Sequence, residues 1–277
     1  MCERDMRYIM YNNNFKRDGV GAQLQRIFGI YLIACKLGLK YVHINFMTVQ
    51  HNFDEEMNGR FNEVFRIPSE VLPEGVRRVR IDYLIDLGEL MRDYGGDVVF
   101  EVGSVHKYVD RNVDILDNLF PVRYNFISDR VGEKIIVAVH IRRGDVQVDN
   151  AQRGRYVSLD YYLRCIEALD EILGGIEHEF HVYSEGNLRG ELGCGEKILK
   201  KIIFHIDEDP LKSFIDMVNA DILFAGFSSF SYSAAMLRRK GVVLYCKYWH
   251  NYSKKNILVV DSKSIYENRE KILLAIK

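Results

Sequence analysis

The sequence of 277 residues contains no CxxC pair, only four prolines, and no apolar run near the roughly 18 residues that cross a membrane. Its five cysteines are scattered and odd in number, which predicts reduced thiols rather than a disulfide framework or a zinc site. A net charge of −1 gives no bulk attraction to nucleic acid or to an acidic membrane. The N-terminus is charged and polar, unlike a signal peptide, so we expect a cytoplasmic protein.

The composition is that of an ordinary globular protein. Hydrophobic residues make up 48% of the chain and charged residues 28%, which argues against disorder, and the length suits one large or two modest domains. Short apolar strands alternate with amphipathic helices, and neither repeats nor low-complexity tracts interrupt them. This alternation predicts an α/β fold.

A buried strand followed by two arginines stands near the middle of the chain. Residues 135–141 form a β-branched, apolar run broken by His140, which is typical of a strand buried on both faces of a parallel sheet. Two cations, a glycine and a carboxylate follow it: Arg142, Arg143, Gly144 and Asp145. Open α/β sheets bind ligands at this end of their strands. One arginine can pair with Asp145 while the other offers its planar fork to a phosphate, although a solvated turn would give the same pattern.

This segment, from His140 to Asp145, resembles the HxRRxD motif of the α1,2/α1,6-fucosyltransferase superfamily. The resemblance extends from about Gly19 to Trp249. It implies a GT-B-like fold, in which two Rossmann-type domains face each other across a cleft. In that superfamily the second arginine of the motif binds the donor diphosphate, which implies this role for Arg143.

The same resemblance implies the division of the chain. We expect an N-terminal, acceptor-side Rossmann-like domain at residues 1–122 and a C-terminal nucleotide-sugar-binding domain at residues 123–277. The last helix could pack back on the first domain. Cellular members of the superfamily are usually anchored in the Golgi membrane, so this chain is expected to match soluble bacterial or viral forms, or a chain trimmed of its anchor.

A glycine-bearing loop precedes the first long helix, which is predicted at residues 22–37 and ends at Gly38. Backbone N–H groups and the helix dipole at such a junction favour an anion, although helix packing alone can also explain the glycines. The superfamily has a similar loop, often with asparagine at the position of Ala22. The resemblance therefore implies donor contacts from the backbone of Gly21, Ala22 and Gln23, with no side-chain role for Ala22.

Ser184 and Glu185 follow a predicted strand at residues 179–183. The superfamily has a similar strand ending in a polar triplet near the nucleotide. The resemblance makes both residues candidates for contacts to the base or the ribose. An ordinary polar cap at the end of the strand would place the same residue types there.

Asp207 to Asp209 spell a literal DxD, the triad that holds a divalent metal with the donor in GT-A glycosyltransferases. Pro210 and a predicted helix follow at once, and acidic residues before such a helix are ordinary N-terminal caps. We therefore favour a capping or base-binding role, with Asp207 as a candidate donor contact, over a metal site.

A hydroxyl-rich turn follows the predicted strand at residues 220–226 and opens a helix. Small hydroxyl groups and exposed N–H groups at a helix N-terminus make a phosphate cradle, whereas a cap alone needs one serine. The superfamily has a matching S-x-F-S-x-x-A-A-like segment, which faces the motif arginine across the donor diphosphate. The resemblance implies donor contacts from Ser228, Ser229, Phe230 and Ser231.

The resemblance implies an inverting glycosyltransferase, and the fixed positive groups lead us to expect that it needs neither a metal nor another cofactor. By resemblance the donor is GDP-fucose and the acceptor an oligosaccharide or glycoprotein, with no nucleic-acid partner. The candidate catalytic residues are Arg143, which stabilises the leaving diphosphate, Asp145 as an optional base, and His140, which holds the motif together. Arg142 joins Arg143 among the candidate donor contacts.

Three alternatives remain open from the sequence. A diverged member could use another donor, such as UDP-xylose, with the same motifs, because diphosphate-binding elements do not contact the sugar. A protein of the same fold could bind a glycan or nucleotide without catalysis. A metal-dependent GT-A enzyme could use Asp207 and Asp209.

Overall fold

The computed structural model describes residues 5–12, 18–50, 53–105, 113–119, 134–146, 153–186, 188, 198, 200–247, 252 and 257–276. The chain divides into two compact units, Met1–Pro121 and Val122–Lys277. Each unit is built on a parallel β-sheet with helices between its strands, so the predicted α/β class is confirmed.

The first unit contains a four-stranded sheet with the strand order β2-β1-β4-β3, all parallel. Its strands are β1 at Arg7–Tyr11, β2 at Lys40–Val42, β3 at Arg77–Ile81 and β4 at Val98–Val102. Its helices are α1 at Val20–Leu37 and α2 at Glu55–Val64, with 3-10 turns at Leu87–Met91 and Val113–Asn118.

Two predictions for the first unit have opposite outcomes. Gly38 ends α1 in the left-handed conformation, with φ at 65°, and its N–H bonds the Ala34 carbonyl, as predicted. The sequence pattern of residues 84–94 also predicts a helix, and this prediction is wrong. The chain makes only the short 3-10 turn there, which Asp86 caps through the Gly88 N–H.

The second unit contains a six-stranded parallel sheet with the order β10-β9-β8-β5-β6-β7. Its strands are β5 at Ile135–His140, β6 at His178–Ser184, β7 at Ile202–Ile206, β8 at Ile222–Ala225, β9 at Val242–Tyr245 and β10 at Leu258–Asp261. Its helices are α3 at Leu159–Ile172, α4 at Pro210–Asn219, α5 at Ser229–Leu237 and α6 at Arg269–Ala275. Short 3-10 turns lie at Arg153–Arg155, Ser262–Ser264 and Tyr266–Asn268.

The sheet of the second unit grows in both directions from β5. The chain runs outward from β5 to β6 and β7, and then returns to the other side of β5 for β8, β9 and β10. Val137, Phe180 and Phe224 are fully buried and form the core beneath these strands. Ile272 of α6 lies in the same core. The return of the chain makes a topological switch point between β5 and β8, which is where open α/β sheets bind ligands.

Two further expectations concern membranes and thiols. Of the helices in the described ranges, none combines the length and the apolar character needed to cross a bilayer. The described cysteines Cys35, Cys165 and Cys246 are free thiols, and Cys2 and Cys194 lie outside the described residues.

Candidate functional site

The carboxyl ends of β5 and β8 meet at the switch point through an unusually close backbone approach. A Cβ added to Gly226, just after β8, would lie 2.6 Å from the His140 carbonyl oxygen at the end of β5 and 2.7 Å from the Tyr162 hydroxyl. Both distances are shorter than real contacts of a Cβ atom. Glycine at position 226 therefore lets the start of α5 lie directly against the segment that carries the two arginines.

Gly226→Ala is expected to destabilise the protein by about 1–3 kcal/mol, since the new methyl group must push apart two strands of the central sheet. Gly59→Ala is the matched control. Gly59 lies in α2 with open space around its Cα, so alanine there is expected to stabilise by about 0.4–1 kcal/mol. Urea denaturation of both variants measures the difference. Equal stabilities for the two would contradict the close approach.

The first arginine after β5 is engaged by the motif's own carboxylate. Arg142 Nε and Nη2 donate to the two oxygens of Asp145 at 3.1 and 2.7 Å, a bidentate pair that confirms the expected Arg–Asp pairing. Gly144 turns the chain between them with φ at 70°. The carboxylate of Asp145 is therefore held by a cation rather than presented as an isolated base.

The second arginine is buried and held in one orientation. Only 7% of Arg143 is exposed. Its Nη1 donates to the Arg142 carbonyl at 3.0 Å and its Nη2 to the Val157 carbonyl at 3.2 Å. The guanidinium carbon lies 4.4 Å from the centre of the Tyr156 ring, a cation–π contact that the sequence did not indicate. The structure thus fixes a cation beside the switch point.

The ends of β5, β6 and β7 are tied together by two carboxylates. Glu185, which follows β6, lies against Gly144, where an added Cβ would fall 2.1 Å from Glu185 Oε2. Asp207, which follows β7, accepts the Gly186 N–H through Oδ1 at 3.0 Å, and its own N–H bonds the Ser184 carbonyl. Asp207 has φ at 54°, a left-handed conformation that is uncommon outside glycine. Three candidate residues of the sequence, Ser184, Glu185 and Asp207, therefore share one edge of the sheet.

The three carboxylates of the DxD segment each bind a different protein group. Asp207 holds the Gly186 amide, Glu208 accepts from His205 Nδ1 at 3.0 Å, and Asp209 caps α4 through the amides of Leu211 and Lys212. The predicted capping role of this segment is confirmed at Asp209. In the part of the chain that the structure describes, no three His, Cys, Asp or Glu side chains are grouped to hold a metal ion.

The serine-rich turn begins α5 next to the end of β5. The Ser228 hydroxyl caps the helix by accepting the Phe230 N–H at 3.2 Å, and the buried Ser231 hydroxyl donates to the Ser228 carbonyl. Ser229 is the first residue of the helix. The Phe230 ring packs between His140, at 5.8 Å, and Phe214 of α4, at 5.3 Å between ring centres. The positive end of the helix dipole therefore lies at the switch point.

His140 occupies the last position of β5 with its Nδ1 buried and not hydrogen-bonded to any described residue. Burial, and secondly the positive charge of Arg142, lower the pKa of His140 to about 3. The imidazole is therefore neutral at physiological pH. Its ring packs against Phe230 at an angle of 49°, and the expected role of holding the motif together stays a prediction.

The depressed pKa of His140 predicts a pH dependence of stability. The unfolded histidine takes up a proton near pH 6.5, whereas the folded one does so only near pH 3. The contribution of His140 to the free energy of unfolding is thus fully present above pH 6.5. It falls by about 1.4 kcal/mol per pH unit as the pH drops from 6.5 toward 3. In His140→Phe, the free energy of unfolding should fall less steeply with acid than in the wild type. Parallel curves from urea denaturation would rule out the buried, neutral imidazole.

The candidate residues of the first unit lie at the start of α1. Gly19 occupies the N-cap position without a side-chain cap, and the amides of Ala22 and Gln23 both donate to its carbonyl. The fully buried Gln23 side chain donates to the carbonyls of Asp18 and Met47 at 2.9 and 2.8 Å. The Gln23 side chain therefore links the segments that contain Asp18 and Met47. Donor contacts from Gly21, Ala22 and Gln23 stay a prediction.

One edge of the second unit thus carries most of the residues chosen from the sequence: His140, Arg142, Arg143, Asp145, Ser184, Glu185, Asp207 and Ser228 to Ser231. Sequence reasoning missed Tyr156, whose ring contacts the Arg143 guanidinium, and Gly226, the point of close approach. A glycine directly after a buried strand is a usable signal for close approach. Tyr156 carries no such signal, because its contact is made with a residue that the sequence does not place beside it.

The chain consists of two α/β units, each built on a sheet of parallel strands, and its fold is of the GT-B glycosyltransferase type. Its structure is similar to that of POFUT1 in complex with GDP, at a TM-score of 0.52 and 14% identity over 93% of this chain and 98% of that chain. A POFUT1 complex with GDP-fucose gives a TM-score of 0.53 at 13% identity, over 92% of this chain and 97% of that one. The fucosyltransferase NodZ from Bradyrhizobium gives 0.42 at 10% identity, over 87% and 95%. Neither the protein-family models nor the curated proteins give a match.

Proposed function

We propose that this protein is an inverting glycosyltransferase that binds a nucleotide-sugar at the carboxyl edge of the second unit. The observation that carries the proposal is that the segment with Arg143 and the N-terminus of α5 follow the neighbouring strands β5 and β8, whose ends come close where Gly226 lies against His140. A fixed guanidinium and a helix N-terminus are both suited to a diphosphate. The similarity to POFUT1 structures containing GDP and GDP-fucose supports the choice of nucleotide-sugar as the donor class.

The proposed reaction follows from where charge develops. The acceptor oxygen attacks the anomeric carbon from the face opposite the nucleotide, and the bond between that carbon and the diphosphate oxygen breaks. The electron pair leaves on the nucleoside diphosphate. Arg143 and the first turn of α5 would stabilise this charge without a metal, because they are oriented before the reaction begins. The acceptor's proton passes to water, since Asp145 is held by Arg142.

GDP-fucose is the proposed donor, and an oligosaccharide or glycoprotein the proposed acceptor. The base would lie toward Ser184, Glu185 and Asp207, because these residues continue the same edge beyond the arginines. Glu185 and Asp207 carry carboxylates, which accept hydrogen bonds from the N–H groups of a guanine. Uracil has fewer N–H groups than guanine to donate to these two carboxylates.

Thermal unfolding with GDP, UDP, GDP-fucose, UDP-xylose and UDP-glucose, each with and without EDTA, tests the proposal. A nucleotide at 100 times its Kd should add about 2.7 kcal/mol to stability, which is an easily measured shift. We expect GDP and GDP-fucose to stabilise the protein, and the stabilisation by each to be the same with EDTA as without it.

The other outcomes separate the alternatives. Stabilisation by a UDP-sugar would keep the fold and the reaction but change the donor. Stabilisation that EDTA abolishes would favour a metal-dependent enzyme. Binding of GDP-fucose without hydrolysis or transfer to any glycan acceptor would favour a non-catalytic binding protein, and no response to any nucleotide would overturn the proposal.

A further inference from the structure

The ring of Tyr156 lies under the guanidinium of Arg143, and neither the motif nor the reaction assigns Tyr156 a role. The ring centre is 4.4 Å from the guanidinium carbon, well within the roughly 6 Å at which a cation is attracted to an aromatic face. The contact belongs to the segment between the 3-10 turn Arg153–Arg155 and α3.

The same segment also holds the edge of the guanidinium. Val157, next to Tyr156, accepts a hydrogen bond from Arg143 Nη2 at 3.2 Å through its carbonyl. The side chain of Val157 packs on the core of the second unit, and α3 begins two residues later with the buried Leu159. The Tyr156–Val157 segment is therefore anchored by the core, and it contacts the Arg143 guanidinium twice, through the Tyr156 ring and through the Val157 carbonyl.

We infer that Tyr156 is a positioning residue that fixes the plane of the Arg143 guanidinium for the donor diphosphate. The inference rests on the proposed function for its ligand. An arginine forms two parallel bonds with a phosphate only when the plane of its fork points at the oxygens. A side chain that is ordered before binding also loses less conformational entropy when the ligand arrives. The aromatic face matters here, and the tyrosine hydroxyl does not.

The test compares Tyr156→Leu, which removes the ring, with Tyr156→Phe, which keeps it. Calorimetric titration with GDP should show about two- to thirtyfold weaker binding for the leucine variant and wild-type binding for the phenylalanine variant. Tyr266→Leu is the control for loss of a tyrosine in the same unit, since Tyr266 is 59% exposed. It should bind GDP like the wild type.

A double-mutant cycle separates positioning from a general structural role. In an Arg143→Gln background no guanidinium remains to be oriented, so Tyr156→Leu should weaken GDP binding no further. An undiminished loss in that background would overturn the inference, because Tyr156 would then act independently of Arg143.

A measurement without nucleotide separates failure of this inference from failure of the proposed function. The NMR signal of the Arg143 Nε–H group, assigned by its disappearance in Arg143→Gln, should be shifted upfield by the ring current of Tyr156. The shift should persist in Tyr156→Phe and vanish in Tyr156→Leu. An unchanged signal in Tyr156→Leu would overturn the inference even if GDP binds the wild type. If the shift vanishes in Tyr156→Leu but the wild type does not bind GDP, only the proposed ligand is refuted.

Discussion

Arg143→Ala is expected to weaken the binding of GDP and GDP-fucose by at least about thirtyfold while the protein stays folded. Removing one partner of a buried, charge-assisted contact costs about 2–5 kcal/mol of binding, and each 1.4 kcal/mol is a tenfold change in Kd. Arg143→Lys keeps the charge but not the planar fork, so its Kd should lie between those of the wild type and the alanine variant. Calorimetric titration gives the Kd values, and thermal unfolding without ligand verifies the fold.

Two further arginines serve as controls for this experiment. Arg80 is exposed and pairs with Asp82 in the first unit, so Arg80→Ala should leave binding unchanged. Arg142 is already paired with Asp145, so Arg142→Ala should cost less affinity than Arg143→Ala. An Arg143→Ala protein that binds GDP like the wild type would refute the role assigned to Arg143.

Arg238→Ala is expected to destabilise the protein by about 3–5 kcal/mol, the largest stability effect that we predict. Arg238 is fully buried, and its guanidinium donates to the carbonyls that end α4 and flank β8: those of Met217, Val218, Ala220, Asp221 and Lys240. Burial lowers its pKa to about 10, although Asp221 opposes this, so it stays charged at neutral pH. Alanine would remove the donor shared by these carbonyls in the protein interior, although the Asp221 carbonyl would keep its bond from the Val242 N–H.

The Arg238→Ala variant should be less stable than the wild type but should bind GDP with the same Kd while it is folded. Asp221 precedes β8, so Arg238 serves the amino end of the strand, opposite the edge that carries Arg143. Lys240→Ala removes an exposed cation from the same loop and should change stability by less than about 0.5 kcal/mol. Equal thermal stabilities for the two variants would contradict the buried carbonyl cluster.

Local sequence patterns predicted much of the second unit. The apolar run at β5 ends where the pattern changes to charged residues, and the short Arg142–Asp145 separation allowed their pairing to be expected. Asp209 before Pro210 was expected to cap a helix, and it does so. These features depend on residues within a few positions of one another, so their causes are present in the local sequence.

Contacts between distant residues could not be predicted in this way. Strand β10 was not predicted, because its four residues form a strand only through their hydrogen bonds with β9. A serine directly before a helical pattern predicts an N-cap, yet the hydroxyl of Ser158 before α3 makes no capping bond. The contact of Glu185 with Gly144 and the bond from Gly186 to Asp207 arise only once three strand ends lie side by side.

The same limit applies to the depressed pKa of His140. Its cause is the burial of the ring beside Phe230, which lies ninety residues away in the sequence. The sequence could identify His140 as part of a motif but not as a neutral, packed imidazole. The motif therefore indicated where the candidate site lies, whereas the electrostatics of these residues could be described only from the fold.

Amide hydrogen exchange with and without GDP locates the bound nucleotide on the chain. We expect GDP to slow exchange at residues 141–146 and 226–233, the two segments that follow β5 and β8 at the switch point. Protection that instead appears elsewhere, with these two segments unchanged at saturating GDP, would contradict this expectation.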